Sequence, residues 1–336
     1  MITCFVAARK ALAAGERPQP EGNRMEYRAL GKTGMQVSAL SFGASSLGGV
    51  FHDEDERTGI RAVRTALDLG INLIDVSPYY GLTKAETVLG RALAGLPRER
   101  YFLATKCGRY GAEDFDFSAE RVTKSVDESL SRLGVEYLDI IQVHDMEFGD
   151  IRQIVGETIP ALLRIKDRGK ARFVGITCLP LAMFVRAVEQ FPAGTIDTIL
   201  SYCHYELNDT SLLDVLPPME QRGIGVINAS PLGMGLLSLR GTPPWHPAPD
   251  EVKERCRQAA EHCREKHSNI IKLAVQYSLS EPRVATTLVG TASPENIASN
   301  VAWGAEPIDR QLLDEVLEIL KPVHNVTWHQ GRPENN

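Results

Sequence analysis

Eight short apolar segments alternate with helix-like segments along most of this chain, and this alternation restricts the fold more than any other feature. The predicted strands are residues 39–45, 71–77, 101–106, 138–144, 172–177, 198–203, 224–230 and 285–291. The intervening segments carry apolar residues at three- to four-residue spacing, as in residues 58–70, which is the pattern of an amphipathic helix. Residues 71–74 and 138–143 show little polar alternation, which is typical of strands buried on both faces. Eight such units over roughly 250 residues predict an α/β fold of the (β/α)8 TIM barrel type.

An open, doubly wound sheet is the alternative fold for the same alternation. Such a sheet usually carries a G-x-G-x-x-G turn after its first strand. Here the first strand is followed by GASSLGG, which lacks that spacing. Residues 26–38 hold two short runs around the turn GKTG, which predicts an N-terminal β-hairpin before the main fold. The barrel preceded by a hairpin is therefore favoured.

The domain organisation follows from where the pattern starts and stops. The stretch from Gly15 to Arg24 is rich in glycine, proline and charge, and no linker interrupts residues 39–321. A proline-rich insertion, residues 241–250, follows the seventh strand. The predicted organisation is a flexible arm (1–24), a single barrel domain (25–323) and a polar tail (324–336).

Composition excludes several classes of partner. The 336 residues are 43% hydrophobic and 24% charged, and a net charge of −6 provides no basic surface for nucleic acid. No run of the sequence has the length and apolarity that would predict a membrane span. The 6 cysteines form no C-x-x-C pair, which favours free thiols in a reducing cytoplasm and no metal site. We therefore expect a cytoplasmic protein that acts on a small molecule.

Polar residues end three consecutive predicted strands. Asp75 ends the second strand, Lys106 the third and His144 the fourth. The loop after Asp75 carries Tyr79 and Tyr80 in the sequence IDVSPYYG. Each residue taken alone has an ordinary structural explanation, as a turn former, a solvated charge or a packing ring. Because the active sites of TIM barrels lie at the carboxyl ends of the strands, their convergence on one rim favours a catalytic role.

The chemistry of these residue types suits proton exchange at one oxygen. Tyrosine has a reference pKa of about 10, and a neighbouring ammonium is expected to lower it by stabilising the phenolate. A carboxylate beside the lysine holds the ammonium charged and in place, and a histidine orients the reacting oxygen. Hydride transfer at a hydroxyl or carbonyl carbon, with a nicotinamide cofactor, needs such an arrangement.

From about Tyr27 to Trp303 the chain resembles the aldo-keto reductase superfamily, whose members are (β/α)8 barrels that bind NAD(P)(H). The resemblance implies that the catalytic tetrad consists of Asp75, Tyr80, Lys106 and His144. Tyr80 is chosen over Tyr79 because the catalytic tyrosine of the family stands five residues after the aspartate and beside a glycine, here Gly81.

The same resemblance implies the cofactor contacts. Thr177 and Ser201 match residues that hold the nicotinamide carboxamide, although Cys178 replaces a common asparagine, and ASPLGMG places Ala229 where many members have a stacking aromatic. NADPH-preferring relatives place a lysine and an arginine where this chain has Gly290 and Asn296, so NAD is favoured over NADP. The predicted cofactor-binding residues are Gly43, Asp75, Thr177, Ser201, Ser230, Leu232, Gly233, Gly290, Thr291, Asn296 and Asn300, the last as the adenine contact.

Several stretches, among them FDFSAERV, HDMEFG, ASPLGMGLL and PPWHPAP, resemble the branch of L-galactose dehydrogenases and related aldose 1-dehydrogenases. That branch implies NAD-dependent oxidation of an aldose such as L-galactose or L-fucose at C1 to the lactone. The candidate sugar-binding residues are Ser45, Tyr79, His204 and Trp245. Two alternatives are an NADPH-dependent aldehyde or ketone reductase and a redox-sensing binding protein similar to potassium-channel β-subunits.

Overall fold

A closed barrel of eight parallel strands forms the centre of the molecule, as seen in a computed structural model that describes residues 25–50 and 55–336. The barrel strands are β3 (Leu40–Gly43), β4 (Leu73–Asp75), β5 (Phe102–Cys107), β6 (Leu138–Val143), β7 (Ala171–Cys178), β8 (Thr198–Tyr202), β9 (Gly225–Ala229) and β10 (Thr286–Gly290). Neighbours in the chain are neighbours in the barrel, and β10 closes it against β3. The predicted (β/α)8 barrel is confirmed, and the predicted flexible arm, residues 1–24, lies outside the described residues.

The predicted N-terminal hairpin is also confirmed. Strands β1 (Tyr27–Ala29) and β2 (Gln36–Ser38) pair antiparallel as a separate sheet. Leu30 and Met35, at the hairpin turn, are buried in one cluster with inward residues of the barrel such as Ile140. The hairpin therefore covers the amino-terminal end of the barrel and leaves the carboxyl ends of the strands for chemistry.

Helices surround the barrel. They are α1 (Glu56–Asp68), α2 (Lys84–Leu93), α3 (Ala119–Leu133), α4 (Ile151–Gln153, continued by a π-helical turn Ile154–Thr158 and by Ile159–Asp167), α5 (Leu181–Glu189), α6 (Leu216–Arg222), α7 (Asp250–Glu265), α8 (Ile270–Ser278), α9 (Pro294–Ala305) and α10 (Arg310–Leu320). None of the helices in this part of the chain combines the length and the apolar character needed to cross a bilayer.

Local sequence signals set the helix ends. Asp55 caps α1 by accepting a hydrogen bond from the Thr58 amide, and Ser118 caps α3 in the same way through Arg121. Helix α3 ends at Gly134, which takes the left-handed conformation that glycine adopts without strain. These caps fix where the helices begin and end, and the apolar faces of the helices pack on the outer surface of the strands.

Candidate active site

Three of the predicted catalytic side chains form one buried chain of contacts at the carboxyl ends of β4 and β5. The Lys106 ammonium forms an ion pair with Asp75 Oδ1 and donates to the Val76 carbonyl oxygen at 3.0 Å. It lies 3.2 Å from the Tyr80 hydroxyl oxygen. Each of the three ammonium protons therefore has an acceptor within reach.

The charges of this pair follow from its partners. Burial lowers the pKa of Lys106, but the Asp75 charge and the hydrogen bonds to Asp75 and Tyr80 outweigh that effect and raise it, so the ammonium persists at neutral pH. Burial raises the pKa of Asp75, whereas Lys106 and Gln142 oppose the rise. The second Asp75 oxygen accepts from the Gln142 amide at 2.7 Å. Both carboxylate oxygens thus face groups that can only donate, which is the environment of an ionised carboxylate.

The expectation of a lowered pKa at Tyr80 is wrong for the protein alone. Burial raises the pKa of the phenol, and the Lys106 charge opposes this only in part. The charges of Asp75 and Asp145 raise it further. Tyr80 is therefore a proton donor in the resting protein, and a proton acceptor only when its phenolate gains further stabilisation.

His144 stands beside both tyrosines. Its ring centroid lies 5.7 Å from that of Tyr80 and 5.9 Å from that of Tyr79, edge-on to both rings. Its Nδ1 lies 2.9 Å from the Ser77 hydroxyl oxygen. Burial lowers the pKa of His144 to about 3 against the opposing charge of Asp145, and Lys106 acts in the same direction as burial, so the imidazole is neutral at physiological pH. The structure thus brings the four predicted tetrad residues together.

Sequence reasoning missed two residues that hold this group in place. Gln142 is fully buried on β6 and Ser77 is fully buried in the loop after β4. A signal for Gln142 was present, because residues i and i+2 of a strand point to the same face and His144 follows two positions later. Ser77 showed no signal beyond a serine before proline, which is ordinary turn chemistry.

An ion pair lies next to His144 at the carboxyl ends of the strands. Arg109 Nη1 donates to Asp145 Oδ2 at 2.5 Å, and the guanidinium lies 3.9 Å from the centroid of the Tyr79 ring. Asp145 has a positive φ of 48°, and its amide donates to the Thr177 hydroxyl at 3.0 Å. Tyr79, a predicted sugar contact, is thereby fixed next to His144, and Thr177 is fixed at the end of β7.

Several predicted cofactor residues offer groups that suit a nicotinamide dinucleotide. Ser201 is fully buried on β8, and its hydroxyl makes no hydrogen bond within the described residues, which suits a carboxamide partner. Ser230 and Gly233 both have positive φ, 58° and 54°, in the tight turn after β9. Leu232 lies between them and packs on a buried apolar cluster that includes residues of α7 and α10.

The remaining predicted cofactor residues lie at the ends of β3 and β10. Gly43 and Gly290 are paired in register, and a Cβ on Gly290 would lie 3.1 Å from the Ser45 hydroxyl. Ser293 caps α9 by accepting from the Asn296 amide at 3.2 Å, and the Asn296 side chain donates to the Thr291 hydroxyl at 3.3 Å. Asn300 is buried one turn further along the helix. A helix N-terminus of this kind favours an anionic group.

The two other sugar candidates occupy different environments. The Nδ1 of His204 is buried 3.3 Å from Asp209 and 3.0 Å from the Ser211 hydroxyl oxygen, within its own loop. That placement favours a structural role for His204. Trp245 is 52% exposed and stacks on His246, whose Nε2 donates to the Gly233 carbonyl oxygen at 2.9 Å. The proline-rich insertion is thus attached to the predicted pyrophosphate turn.

The C-terminal segment also reaches this rim. The Gln330 amide donates to Glu147 Oε1 at 2.5 Å and also contacts the Tyr202 hydroxyl. The Asn335 amide donates to the carbonyl oxygens of Glu147 and Gly149, at 2.9 and 3.0 Å. Residues after 324 therefore pack against the loop that follows His144, which the sequence did not indicate.

Comparison with known proteins agrees with this geometry. The chain matches the Aldo/keto reductase family over residues 39–321. It is 52% identical to L-galactose dehydrogenase of Arabidopsis thaliana over 318 residues, which cover 93% of this chain and 99% of that protein. It is 36% identical to D-arabinose 1-dehydrogenase of Saccharomyces cerevisiae, over 88% of this chain and 95% of that protein.

A solved structure shows the same fold. The holo form of the aldo-keto reductase AKR11C1 from Bacillus halodurans superposes with a TM-score of 0.75 at 27% identity, covering 92% of this chain and all of that one. Aldo-keto reductases are oxidoreductases that use nicotinamide cofactors. This chain belongs to the aldo/keto reductase family.

Proposed function

We propose that this protein is an NAD-dependent aldose 1-dehydrogenase that oxidises an L-galactose-like sugar, such as L-galactose or L-fucose, at C1 to the aldonolactone. The observation that carries the proposal is the likeness to L-galactose dehydrogenase along nearly the whole chain, combined with the buried contacts of Lys106 to Asp75 and Tyr80. The likeness to D-arabinose 1-dehydrogenase also supports oxidation of the sugar at C1.

In the proposed reaction, Tyr80 acts as the general base and His144 orients the C1 hydroxyl by a hydrogen bond. The hydroxyl proton passes to the Tyr80 phenolate, the C1–H bond electrons leave as hydride, and the C1–O bond becomes the lactone carbonyl. Bound oxidised nicotinamide supplies the hydride acceptor. Lys106 stabilises the phenolate, and Asp75 holds Lys106 charged and in place.

The preference for NAD rests on the residues near the start of α9. Gly290 and Asn296 carry no charge at the positions where NADP-binding relatives place cations, so a 2′-phosphate would gain little electrostatic compensation there. We expect a higher kcat/KM with NAD than with NADP. Asn296→Arg should raise kcat/KM for NADP by about tenfold, equivalent to about 1.4 kcal/mol. As a control, Gln311→Arg adds the same charge on α10 and should leave the ratio of kcat/KM for NADP to kcat/KM for NAD unchanged.

The substrate assignment is tested with a panel of aldoses and either cofactor. Purified protein is mixed with NAD or NADP and with L-galactose, L-fucose, D-arabinose or D-glucose, and reduced cofactor is followed by absorbance. We expect turnover with the first three sugars and a preference for NAD. Tyr80→Phe should abolish turnover while it leaves cofactor binding within about threefold, since it removes one hydroxyl. Absence of turnover with all three sugars would overturn the assignment.

A second candidate is the reduction of an aldehyde or ketone. The specific observation in its favour is the raised pKa of Tyr80, because a protonated phenol is the donor that carbonyl reduction requires. Reductase assays with NADPH or NADH and small aldehydes separate the two functions. A kcat/KM for reduction that exceeds that for sugar oxidation at the same pH would favour the reductase.

A further inference from the structure

The hydroxyl of Ser77 lies between the loop that carries Tyr80 and the imidazole of His144. Ser77 is 0% exposed, its hydroxyl oxygen lies 2.9 Å from His144 Nδ1, and the Tyr79 amide donates to that same oxygen at 3.1 Å. These are its two hydrogen-bond partners within the described residues. The loop therefore leaves the hydroxyl with one certain donor and one ring nitrogen of undetermined protonation.

The direction of the Ser77–His144 hydrogen bond follows from the number of protons that the three groups can donate. A serine hydroxyl has one proton and two lone pairs, and a backbone amide can only donate. If Nδ1 carried the ring proton, the Ser77 oxygen would accept two hydrogen bonds and its own proton would be buried without an acceptor, which is costly. If Nδ1 is unprotonated, the Ser77 hydroxyl donates to it, and all three groups are satisfied.

The surroundings of His144 Nε2 also favour the tautomer with its proton on Nε2. His144 Nε2 lies 3.6 Å from Asp145 Oδ2, which is already engaged by Arg109 at 2.5 Å. A lone pair on Nε2 would face that carboxylate unfavourably, whereas an N–H is attracted to it. The distance is too long for a direct hydrogen bond, so the Nε2 proton stays available to another oxygen.

We propose that Ser77 is a positioning residue that holds His144 in the tautomer with its proton on Nε2, so that the ring presents a donor to the reacting oxygen. This proposal rests on the proposed function, because it assigns the direction of the hydrogen bond between His144 and the C1 oxygen. In oxidation that hydrogen bond favours the departure of the hydroxyl proton to Tyr80, since it stabilises the oxygen as negative charge develops.

Nitrogen-15 NMR of the histidine rings tests the tautomer without any substrate. Uniformly labelled wild-type protein and the His144→Gln variant identify the His144 signals, and long-range proton–nitrogen spectra show which nitrogen is protonated. We expect Nδ1 to be unprotonated and Nε2 protonated in the wild type. In Ser77→Ala, Nδ1 loses its donor, and the share of the tautomer protonated on Nδ1 should increase measurably, although Asp145 still favours a proton on Nε2. A protonated Nδ1 in the wild type, or an unchanged tautomer in Ser77→Ala, would overturn the proposal.

Kinetics with the sugar that the wild type oxidises provide the second measurement. Ser77→Ala should lower kcat by about 10- to 100-fold, at or below the lower end of the about 10²- to 10⁴-fold contribution of a group that acts directly on the transferred proton, because Ser77 acts only through His144. The affinity for NAD should stay close to that of the wild type. Ser278→Ala is the matched control, because Ser278 is equally buried but its hydroxyl donates to the Val275 carbonyl of its own helix. A loss of kcat without any change of tautomer would show a structural role for Ser77 and contradict the proposal. Because the NMR measurement needs no turnover, failure of the aldose assay leaves this test intact.

Discussion

Two buried carboxyl groups lie on the same rim of the barrel and are compensated in different ways. Asp75 is 4% exposed and faces an ammonium and an amide, whereas Glu147 is 0% exposed and accepts from neutral donors, the Gln330 amide and the Leu179 backbone amide. Burial raises the pKa of Glu147 to about 8, with the charge of Asp145 acting in the same direction. One carboxyl is thus held as an anion and the other as a neutral acid.

The difference shows where the molecule maintains a buried charge. A carboxylate deep in a protein needs a counter-charge, and Asp75 has one because Lys106 must itself stay charged beside Tyr80. Within the described residues, Glu147 has no catalytic ammonium beside it. As a neutral acid it accepts hydrogen bonds that link the C-terminal segment to the loop after His144. Removal of a charged side chain should therefore be severe at the first site, whereas replacement of the acid by a neutral amide should be mild at the second.

Removal of the Lys106 charge is expected to have the largest effect. Lys106→Met leaves Asp75 buried without its counter-charge, which costs about 3–5 kcal/mol of unfolding free energy. It also removes the stabilisation of the Tyr80 phenolate, so kcat should fall by about a thousandfold. Denaturant unfolding and steady-state kinetics measure the two effects.

The double variant Lys106→Met/Asp75→Asn separates these effects. Because it removes both charges, it should recover most of the lost stability but none of the activity. Equal instability of the single and the double variant would contradict an ionic pair at this site.

The acid at position 147 should make stability depend on pH in a defined direction. The carboxyl ionises near pH 4.5 in the unfolded chain and near pH 8 in the folded protein, so the unfolded state binds fewer protons between these values. Its contribution to stability is therefore present in full below about pH 4.5 and declines as pH rises, by roughly 1.4 kcal/mol per pH unit, until about pH 8. Glu147→Gln keeps a neutral side chain of the same shape and should remove this decline.

Denaturant midpoints of wild type and Glu147→Gln, measured from pH 5 to pH 8.5, provide the comparison. The variant should gain stability relative to wild type as pH rises. Parallel curves would mean that Glu147 is already ionised in the folded protein.

The pH dependence of turnover tests the site that contains the ionised Asp75 and Lys106 beside Tyr80. Burial raises the pKa of Tyr80, so the phenolate needed for oxidation becomes more abundant with rising pH, up to about tenfold per unit where its ionisation limits the rate. His144, with its pKa lowered to about 3, contributes no transition between pH 5 and pH 9. The kcat for oxidation should rise toward alkaline pH. A bell-shaped pH profile with a transition near pH 6.5 would contradict the assignment of His144 as neutral over this range.

The smallest predicted effect concerns the C-terminal contact. Gln330→Ala removes the amide that donates to Glu147 Oε1 and should cost about 1 kcal/mol of unfolding free energy, the usual net value of one hydrogen bond, because Oε1 keeps the Leu179 amide as a donor. Gln311→Ala, at an exposed hydrogen bond on α10, is the control and should cost less than about 0.5 kcal/mol. Equal losses in the two variants would show that the Gln330 contact adds nothing beyond a surface hydrogen bond.

Much of the fold and part of the site could be predicted from sequence because their signals are local. The alternation of strand and helix patterns indicated the barrel, and strand ends indicated where Asp75, Lys106 and His144 would meet. The contact between Glu147 and Gln330 could not be predicted, since the two residues lie 183 positions apart and neither has a local pattern. The direction of the pKa shift at Tyr80 was predicted wrongly for a related reason, because burial by distant parts of the chain outweighs the neighbouring ammonium.

The sequence by itself determined the architecture and the strand-end positions of Asp75, Lys106 and His144, because hydrophobic periodicity and strand-end positions are properties of short segments. Only the tertiary structure decided which acids are charged, which tautomer His144 adopts and how the C-terminal segment reaches the rim. Those features depend on desolvation and on hydrogen-bond partners that the closed barrel brings together from remote segments, and a linear pattern does not contain that information.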